Sequence, residues 1–175
     1  WLDRTPPHVV GRRALVVGCG MGDDAIELAS RGFEVTAFDV SESAIRYCRE
    51  RFPDAKATFV QADLLVAQPQ WRQGFDFVLE IFTIQSLPPR YETELIENIS
   101  GFVAPGGQLL VVTRVGSEER SLKNGPPWLL TAHHVSSFAA RGLSVIEQVE
   151  EPFIFEGSTA LFVTTFARPG AAEGG

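Results

Sequence analysis

Residues 14–24 read Ala-Leu-Val-Val-Gly-Cys-Gly-Met-Gly-Asp-Asp, an apolar run that stops at alternating glycines and an acidic pair. The run predicts a buried strand, Arg13 to Val17, and the glycines predict a sharp loop at its end. Gly18, Gly20 and Gly22 lack a Cβ and can take φ > 0, so a bulky ligand can lie against bare main chain there. Asp24 to Ser30 then sets Ala25, Ile26, Leu28 and Ala29 at helical spacing, closed by Arg31-Gly32. Strand, glycine loop and helix form the opening unit of an α/β sheet.

The same alternation continues outward. Phe33 to Val40 reads as a strand, and Ser41 with Glu42 starts a helix to Phe52 that Pro53 ends. Thr58 to Val60 is a short strand, and Phe75 to Ile81 is an apolar strand interrupted by Glu80. Pro88-Pro89 leads into a helix over Arg90 to Phe102. Pro105-Gly106-Gly107 turns into the strand Gln108 to Arg114, and Thr131 to Ala140 is a further helix closed by Arg141-Gly142. Strands near Leu143 to Glu151 and Thr159 to Ala167 finish the chain. Five strands joined by crossovers, followed by a hairpin, predict a mainly parallel sheet with helices on both faces and an antiparallel edge. No internal repeat or low-complexity segment interrupts it.

Size and composition narrow the function. At 175 residues and 45% apolar composition the chain fits one domain with a substantial core. A formal net charge of -7, with no basic stretch longer than Gly11-Arg12-Arg13, disfavours a nucleic-acid partner. The apolar runs are strand-length and no signal peptide opens the chain, so no membrane association is expected and the reading is soluble and cytoplasmic. An opening tryptophan without a methionine leads us to expect residues before it. Cys19 and Cys48 have neither C-x-x-C spacing nor a histidine at ligand spacing, so two ordinary thiols and no metal are expected. Oligomeric state leaves no mark on the sequence.

In such a sheet, ligands bind beyond the carboxyl ends of the strands, where strand order reverses. Those ends carry the glycine loop, Asp39, Asp63, Glu80 and Arg114. Asp39 lies 21 residues after Gly18, the separation at which a carboxylate bridges the hydroxyls of a ribose held over the loop. Asp63 offers an acceptor to an exocyclic amine, and Ala62 and Leu64 can flank a flat ring, which suits adenine. Singly, these residues have structural readings. Asp39 can cap the following helix, with Ser41 competing for that role. Asp63 can be a turn residue, Glu80 a solvent-facing edge charge, Cys19 a loop filler and Met21 a packing residue. His133 and His134, near a helix start, read as surface.

The ligand is then narrowed by chemistry. Asp23 occupies the third-glycine position of G-x-G-x-x-G, where a pyrophosphate would meet two carboxylates, which disfavours NAD and FAD. No Gly-Lys-Ser/Thr follows the loop, which removes the lysine that anchors ATP. Adenosine joined to a zwitterionic amino acid tolerates the acidic mouth, which can hold its ammonium group. S-adenosylmethionine, whose demethylated product is S-adenosylhomocysteine, has that shape.

Taken together, these residues resemble the class I S-adenosylmethionine-dependent methyltransferases. Leu15-Val16-Val17-Gly18-Cys19-Gly20-Met21-Gly22 is similar to their first motif, Phe38-Asp39-Val40-Ser41 to the second, Gln61-Ala62-Asp63-Leu64 to the third and Phe75-Asp76-Phe77-Val78 to the fourth. Pro105-Gly106-Gly107 corresponds to the turn before strand five. The resemblance covers most of residues 13–167. It implies a single Rossmann-like domain over residues 1–168, with sheet order 3-2-1-4-5-7-6 and a frayed tail over 169–175. It also implies Gly18, Cys19, Gly20, Met21 and Gly22 under the methionine moiety and Asp39 on the ribose, with Val40 beside it among the cofactor-binding residues. Ala62, Asp63 and Leu64 would then lie at the adenine, and Glu80 and Ile81 at the methionine end.

One departure narrows the resemblance. Most members carry an acidic residue two positions before the first glycine, where this chain has Val16; Asp24 or Asp23 is the expected substitute. Gly-Cys-Gly-x-Gly-x-Asp, with Gly125-Pro126-Pro127-Trp128, resembles the thiopurine methyltransferase-like branch, whose members methylate small thiols, selenium or tellurium compounds, or halides. That branch normally has a longer segment before the first strand. The acceptor expected is a small molecule: a thiol, another chalcogen or a halide. A methyl already activated as a sulfonium needs mainly in-line alignment and exclusion of water, so no catalytic residue is assigned. An oxygen or nitrogen acceptor would need a base, and Glu80 is the nearest. Phe82 to Pro89 and Val115 to Trp128 are expected to build the acceptor pocket, with Phe82, Gln85, Arg114 and Trp128 lining it. The competing classes are a cofactor-binding module without turnover and an NAD-dependent oxidoreductase on the same sheet.

Overall fold

The computed structural model describes residues 2–3, 6–66, 68–116, 125–155 and 158–170. Its first strand, β1 (Arg13–Val17), is an unbroken apolar run because both of its faces are covered: Ala14 to Val17 are all buried. Burial of Leu15, Val16 and Val17 stabilises the fold by roughly 1.5–3 kcal/mol per side chain. Helix α1 (Asp23–Ser30) starts at Gly22, whose φ of 85° turns the chain, and carries Asp23 and Asp24 in its first turn. Carboxylates there oppose the positive end of the helix dipole.

β2 (Glu34–Asp39) is followed by α2 (Glu42–Arg51), capped by Ser41, whose Oγ accepts from the Ala44 N–H at 3.2 Å. The cap therefore belongs to Ser41 and not to Asp39. β3 (Ala57–Gln61), β4 (Phe75–Ile81), α3 (Glu92–Phe102) and β5 (Val103–Val115) continue the alternation. α4 (Ala132–Ser136) precedes the hairpin of β6 (Ser144–Phe155) and β7 (Ser158–Ala167). The strands lie in the order β3-β2-β1-β4-β5-β7-β6, as the resemblance implies. Pairing is parallel through β5 and antiparallel at β5–β7 and β7–β6.

Alternate residues of each central strand enter different cores, which is why helices cover both faces. Leu15, Val17, Val78 and Val111 pack with Leu95, Ile96 and Ile99 of α3. Ala14, Val16, Leu79 and Val112 pack on the other face with Ala25 and Leu28 of α1 and Ile45 of α2. Because β1 to β4 are parallel, their carboxyl ends lie along one edge of the sheet.

The boundaries of β5 and α4 depart most instructively from the sequence reading. β5 begins at Val103, before Pro105-Gly106-Gly107, because Val103 already pairs with Phe75 and the register shift between Phe75 and Phe77 absorbs the turn. The helix expected over Thr131 to Ala140 is split into α4 and a 3₁₀ turn at Ala139–Arg141. Ser136 and Ser137 both donate through Oγ to the His133 carbonyl, at 2.7 and 3.1 Å, offering the backbone an alternative to a continued helix. Residues 171–175 of the expected tail lie outside the described residues. Among the described residues, no helix is long and apolar enough to cross a membrane.

Gly22 gives this arrangement a direct test. A Cβ at Gly22 would lie 2.9 Å from Cys48 Sγ and 3.1 Å from the Phe59 ring, at a φ of +85°. Gly22→Ala therefore combines a left-handed backbone cost with overpacking and should destabilise the fold by about 2–4 kcal/mol. Urea unfolding of the two proteins measures this; an unchanged midpoint would refute the packing described.

Candidate functional site

The carboxyl edge of the sheet holds a cleft of about 350 Å³, lined by Gly18, Phe38, Asp39, Val40, Ala62, Asp63, Leu64, Ile81, Phe82, Thr83, Ser86 and Leu87. The ends of β1 to β4 thus meet in one place. Asp39 organises it. Its Oδ2 accepts from the Gly20 N–H at 3.0 Å and its Oδ1 from the Ser41 N–H at 2.9 Å. Each carboxylate oxygen keeps a further lone pair for a hydroxyl donor. Asp63 Oδ1 accepts from the Leu65 N–H at 2.9 Å, so it does close a turn, while the residue still faces the cleft. Val40 is 64% exposed, an apolar surface at the rim available to a flat ring.

The remaining loop residues lie beneath or beside the cleft. Gly18 has φ 61°, and a Cβ there would fall 2.5 Å from Thr83 Oγ1. Gly20, at φ 50°, has nothing within 4 Å of its missing Cβ. The Cys19 side chain is buried in the core on the α1 side, and burial, then the neighbouring Cys48 and Asp39, push its thiol up to about 12. Only its main chain is available to a ligand. Met21 is 51% exposed and is not the packing residue that its type suggested. Asp23 is ion-paired to Arg51 at 2.8 Å. Asp24 is exposed at the start of α1, and desolvation, followed by the charge of Asp23, raises its carboxyl above the ordinary range. Gly20, Gly22 and Asp24 do not line the cleft.

Glu80 is neither an edge charge nor a cleft wall. It is fully buried; Oε1 accepts from the Thr83 N–H at 2.7 Å and the Ile84 N–H at 3.0 Å, and Oε2 has no hydrogen-bond partner among the described residues. Burial pushes its carboxyl up to about 7, opposed by those two donors. Ile81, next in the strand, faces the cleft.

Of the four side chains expected to line the acceptor pocket, Phe82 borders this cleft as it is formed by the described residues. The others are brought together behind it. Gln85 is buried, and its Oε1 accepts from Thr113 Oγ1 and from the Arg114 N–H, both at 2.9 Å. The Gln85 carbonyl accepts from the Trp128 N–H at 2.7 Å. Gln85 is thus a brace between the loop after β4 and the end of β5. Residues 117–124 of the expected pocket lie outside the described residues. His134 Nδ1 accepts from the Thr131 N–H at 3.1 Å, giving it a capping role on α4.

Sequence reasoning named the segment Phe82 to Pro89 but did not single out Thr83, Ser86 and Leu87 within it, nor Phe38, as cleft residues. Thr83 is the most informative, since its Oγ1 donates to the Val17 carbonyl at 2.9 Å and joins the two central strand ends. The available signal was a hydroxyl residue just after an apolar strand. Phe82 takes φ 61°, a conformation costing a non-glycine residue about 1–3 kcal/mol, of the kind that gathers at functional sites. Among the described residues, no group of three or more His, Cys, Asp or Glu is placed to hold a metal ion.

Comparison with known proteins places the chain. A methyltransferase-domain family model matches residues 14–107. An uncharacterized methyltransferase of Mycobacterium tuberculosis is 34% identical over 130 residues, which cover 74% of this chain and 60% of that protein. A fatty-acid O-methyltransferase of Mycolicibacterium smegmatis is 33% identical over 144 residues, covering 77% and 51%. A probable thiol methyltransferase of Arabidopsis thaliana is 29% identical over 120 residues, covering 66% and 51%. The chain therefore spans between about half and 60% of the length of these relatives. A crystal structure of an S-adenosylmethionine-dependent methyltransferase from Methanosarcina mazei superimposes with a TM-score of 0.76 at 18% identity, over 92% of this chain and 94% of that one. That likeness is one of fold.

The buried Glu80 has a measurable consequence. Its carboxyl holds a proton up to about pH 7 in the folded state, against an ordinary 4.5. Between those values the folded state binds more protons than the unfolded one, so the Glu80 contribution to stability falls as pH rises from 4.5 to about 7 and is level above. Glu80→Gln stays neutral and escapes that fall. Urea unfolding across this range should show the variant gaining about 3 kcal/mol relative to wild type; a pH-independent difference would contradict it.

Proposed function

The chain belongs to the class I S-adenosylmethionine-dependent methyltransferases, and from that membership we propose that it transfers the sulfonium methyl to a small acceptor that reaches the site already nucleophilic, a thiol that has lost its proton to solvent and arrives as the thiolate, another chalcogen anion or a halide. The observation that carries this reading is the state of the β4 carboxylate: Glu80 is 0% exposed and its Oε1 is taken by two backbone donors. A general base must come within hydrogen-bond reach of the proton it removes. Glu80 does not meet that requirement, and among the described residues the cleft's only ionisable side chains are Asp39 and Asp63.

The cleft suits the proposed cofactor. Asp39 would accept the ribose hydroxyls while keeping its bonds to Gly20 and Ser41, and Asp63 would accept from the adenine amine. Val40, Ala62 and Leu64 would sandwich the ring. Asp24, raised above the ordinary carboxylate range and exposed at the loop's far end, would face the ammonium group. When bound, S-adenosylmethionine supplies an activated methyl. What the chain adds is alignment and the exclusion of water, by Ile81, Phe82, Thr83 and Leu87. The likeness to the probable thiol methyltransferase of Arabidopsis supports the soft-nucleophile reading and the thiopurine methyltransferase-like branch. The fatty-acid activity of the Mycolicibacterium relative is compatible with the same logic, because a carboxylate is ionised at neutral pH without a base.

Equilibrium binding of S-adenosylhomocysteine tests the cofactor site. Asp39→Ala should weaken it by about tenfold to a hundredfold, the loss of hydrogen bonds to a charged group; unchanged affinity would overturn the assignment. Incubation with labelled S-adenosylmethionine and a panel of thiols, halides, fatty acids, amines and phenols then tests the acceptor. Methylated thiol or halide products are expected. Turnover confined to amines or phenols would reject a base-free site, and binding without turnover across the panel would favour a cofactor-binding module.

A further inference from the structure

Glu80 is a fully buried carboxylate one residue before the cleft, between Leu79 in one core and Ile81 at the cleft wall. Burying such a group is costly unless its hydrogen bonds do something that an apolar side chain cannot. Its Oε1 grips the consecutive N–H groups of Thr83 and Ile84, directly after Phe82 in its left-handed conformation at φ 61°. That corner has further fastenings. The Phe82 N–H donates to the Val112 carbonyl at 3.0 Å, Ser86 Oγ to the Phe82 carbonyl at 2.8 Å, and Thr83 Oγ1 to the Val17 carbonyl at 2.9 Å. It presses on the glycine loop so closely that only a residue without a Cβ fits at Gly18. Phe82, Thr83 and Ser86 form the wall of the cleft.

We propose that Glu80 is a positioning residue: from inside the protein, its carboxylate holds the Phe82–Thr83 corner against Gly18 and so sets the cleft wall, without touching the ligand itself. The proposal rests on the cofactor reading above, and gives Glu80 a role other than that of a base. Ionisation adjusts the grip, because N–H bonds to a charged oxygen are stronger than those to a neutral carboxyl. Oε1 is occupied, so the proton resides on the unpartnered Oε2. Its register partners on β1 and β5 are Val17 and Val111, and α3 packs on that face through Leu95, Ile96 and Ile99. Burial raises its titration and the two N–H donors oppose it; the neighbouring elements carry Arg114 on β5, Glu92 on α3 and His134 on α4. The corner is therefore expected to tighten as pH rises through neutrality.

Calorimetric titration of the full chain with S-adenosylhomocysteine between about pH 6 and about pH 8 reads this directly. Wild-type affinity should rise about fivefold across the range, while Glu80→Gln should bind about fivefold more weakly than wild type at the upper end and show no inflection near neutrality. At one pH, the Thr83 and Ile84 amide protons of the variant should exchange faster than those of wild type. Should Glu80→Gln not fold, the Thr83 and Ile84 amide shifts of wild type should still titrate together near pH 7; flat shifts there overturn the proposal. A Glu80→Gln protein that keeps wild-type affinity and inflection overturns it as well. Both outcomes leave the cofactor reading standing, whereas wild type that binds no S-adenosylhomocysteine at any pH overturns that reading and this role with it.

Discussion

The hydrogen bonds from the Gly20 and Ser41 N–H groups to the two oxygens of Asp39, at 3.0 and 2.9 Å, are the contacts on which the rest of the site depends. Parallel strands end at the same level, and the loops leaving them expose N–H groups with no strand partner. One carboxylate at the end of β2 serves two such loops. It draws the glycine loop after β1 toward β2, assisted by the Cys19 N–H donating to the Phe38 carbonyl at 2.8 Å, and it fixes the residue that caps α2. The glycines follow from this. A loop held that close must take left-handed turns at Gly18, Gly20 and Gly22, and a side chain at Gly18 or Gly22 would collide with Thr83 or Cys48.

This double duty explains why Asp39 was ambiguous as a residue in a sequence. A carboxylate two residues before a serine at a helix start is what either a cap or a ligand-binding group looks like. The structure separates the roles by letting Ser41 cap and leaving Asp39 with lone pairs toward the cleft. Functional and structural readings of one residue need not exclude each other, because a carboxylate has about four acceptor positions and a backbone bond uses one.

The central strands were legible for a physical reason: β1 and β4 are covered on both faces, so they are written as unbroken apolar runs whose ends are sharp. The first three strand ends were legible because each carries a glycine loop or an acidic residue. What was not legible depended on contacts between residues far apart in sequence. Nothing local to Glu80 says that it faces the interior, since that depends on the register with Val17 and Val111. Gln85, Arg114 and Trp128 lie together through hydrogen bonds between segments far apart in sequence, which no local pattern announces. α4 was overextended because Ser136 and Ser137 fit a helical pattern while bonding back to His133 in a way that ends it.

The two carboxylates at the centre of the sheet edge are treated in opposite ways, and the contrast bears on chemistry. Asp39 receives its backbone donors on separate oxygens at the rim, where it stays available to hydroxyls. Glu80 receives both donors on one oxygen, out of contact with solvent, and titrates near 7. A carboxyl with that proton affinity has the strength expected of a base at neutral pH but not the access. Strength without access serves geometry. A group held neutral or charged inside the protein can alter the hydrogen bonds of the chain around it, and here that chain is the strained corner at Phe82. If reaction at this edge proceeds by alignment of an activated methyl, the position of that corner matters more than any proton transfer, since small displacements of reacting groups weigh heavily on an in-line displacement.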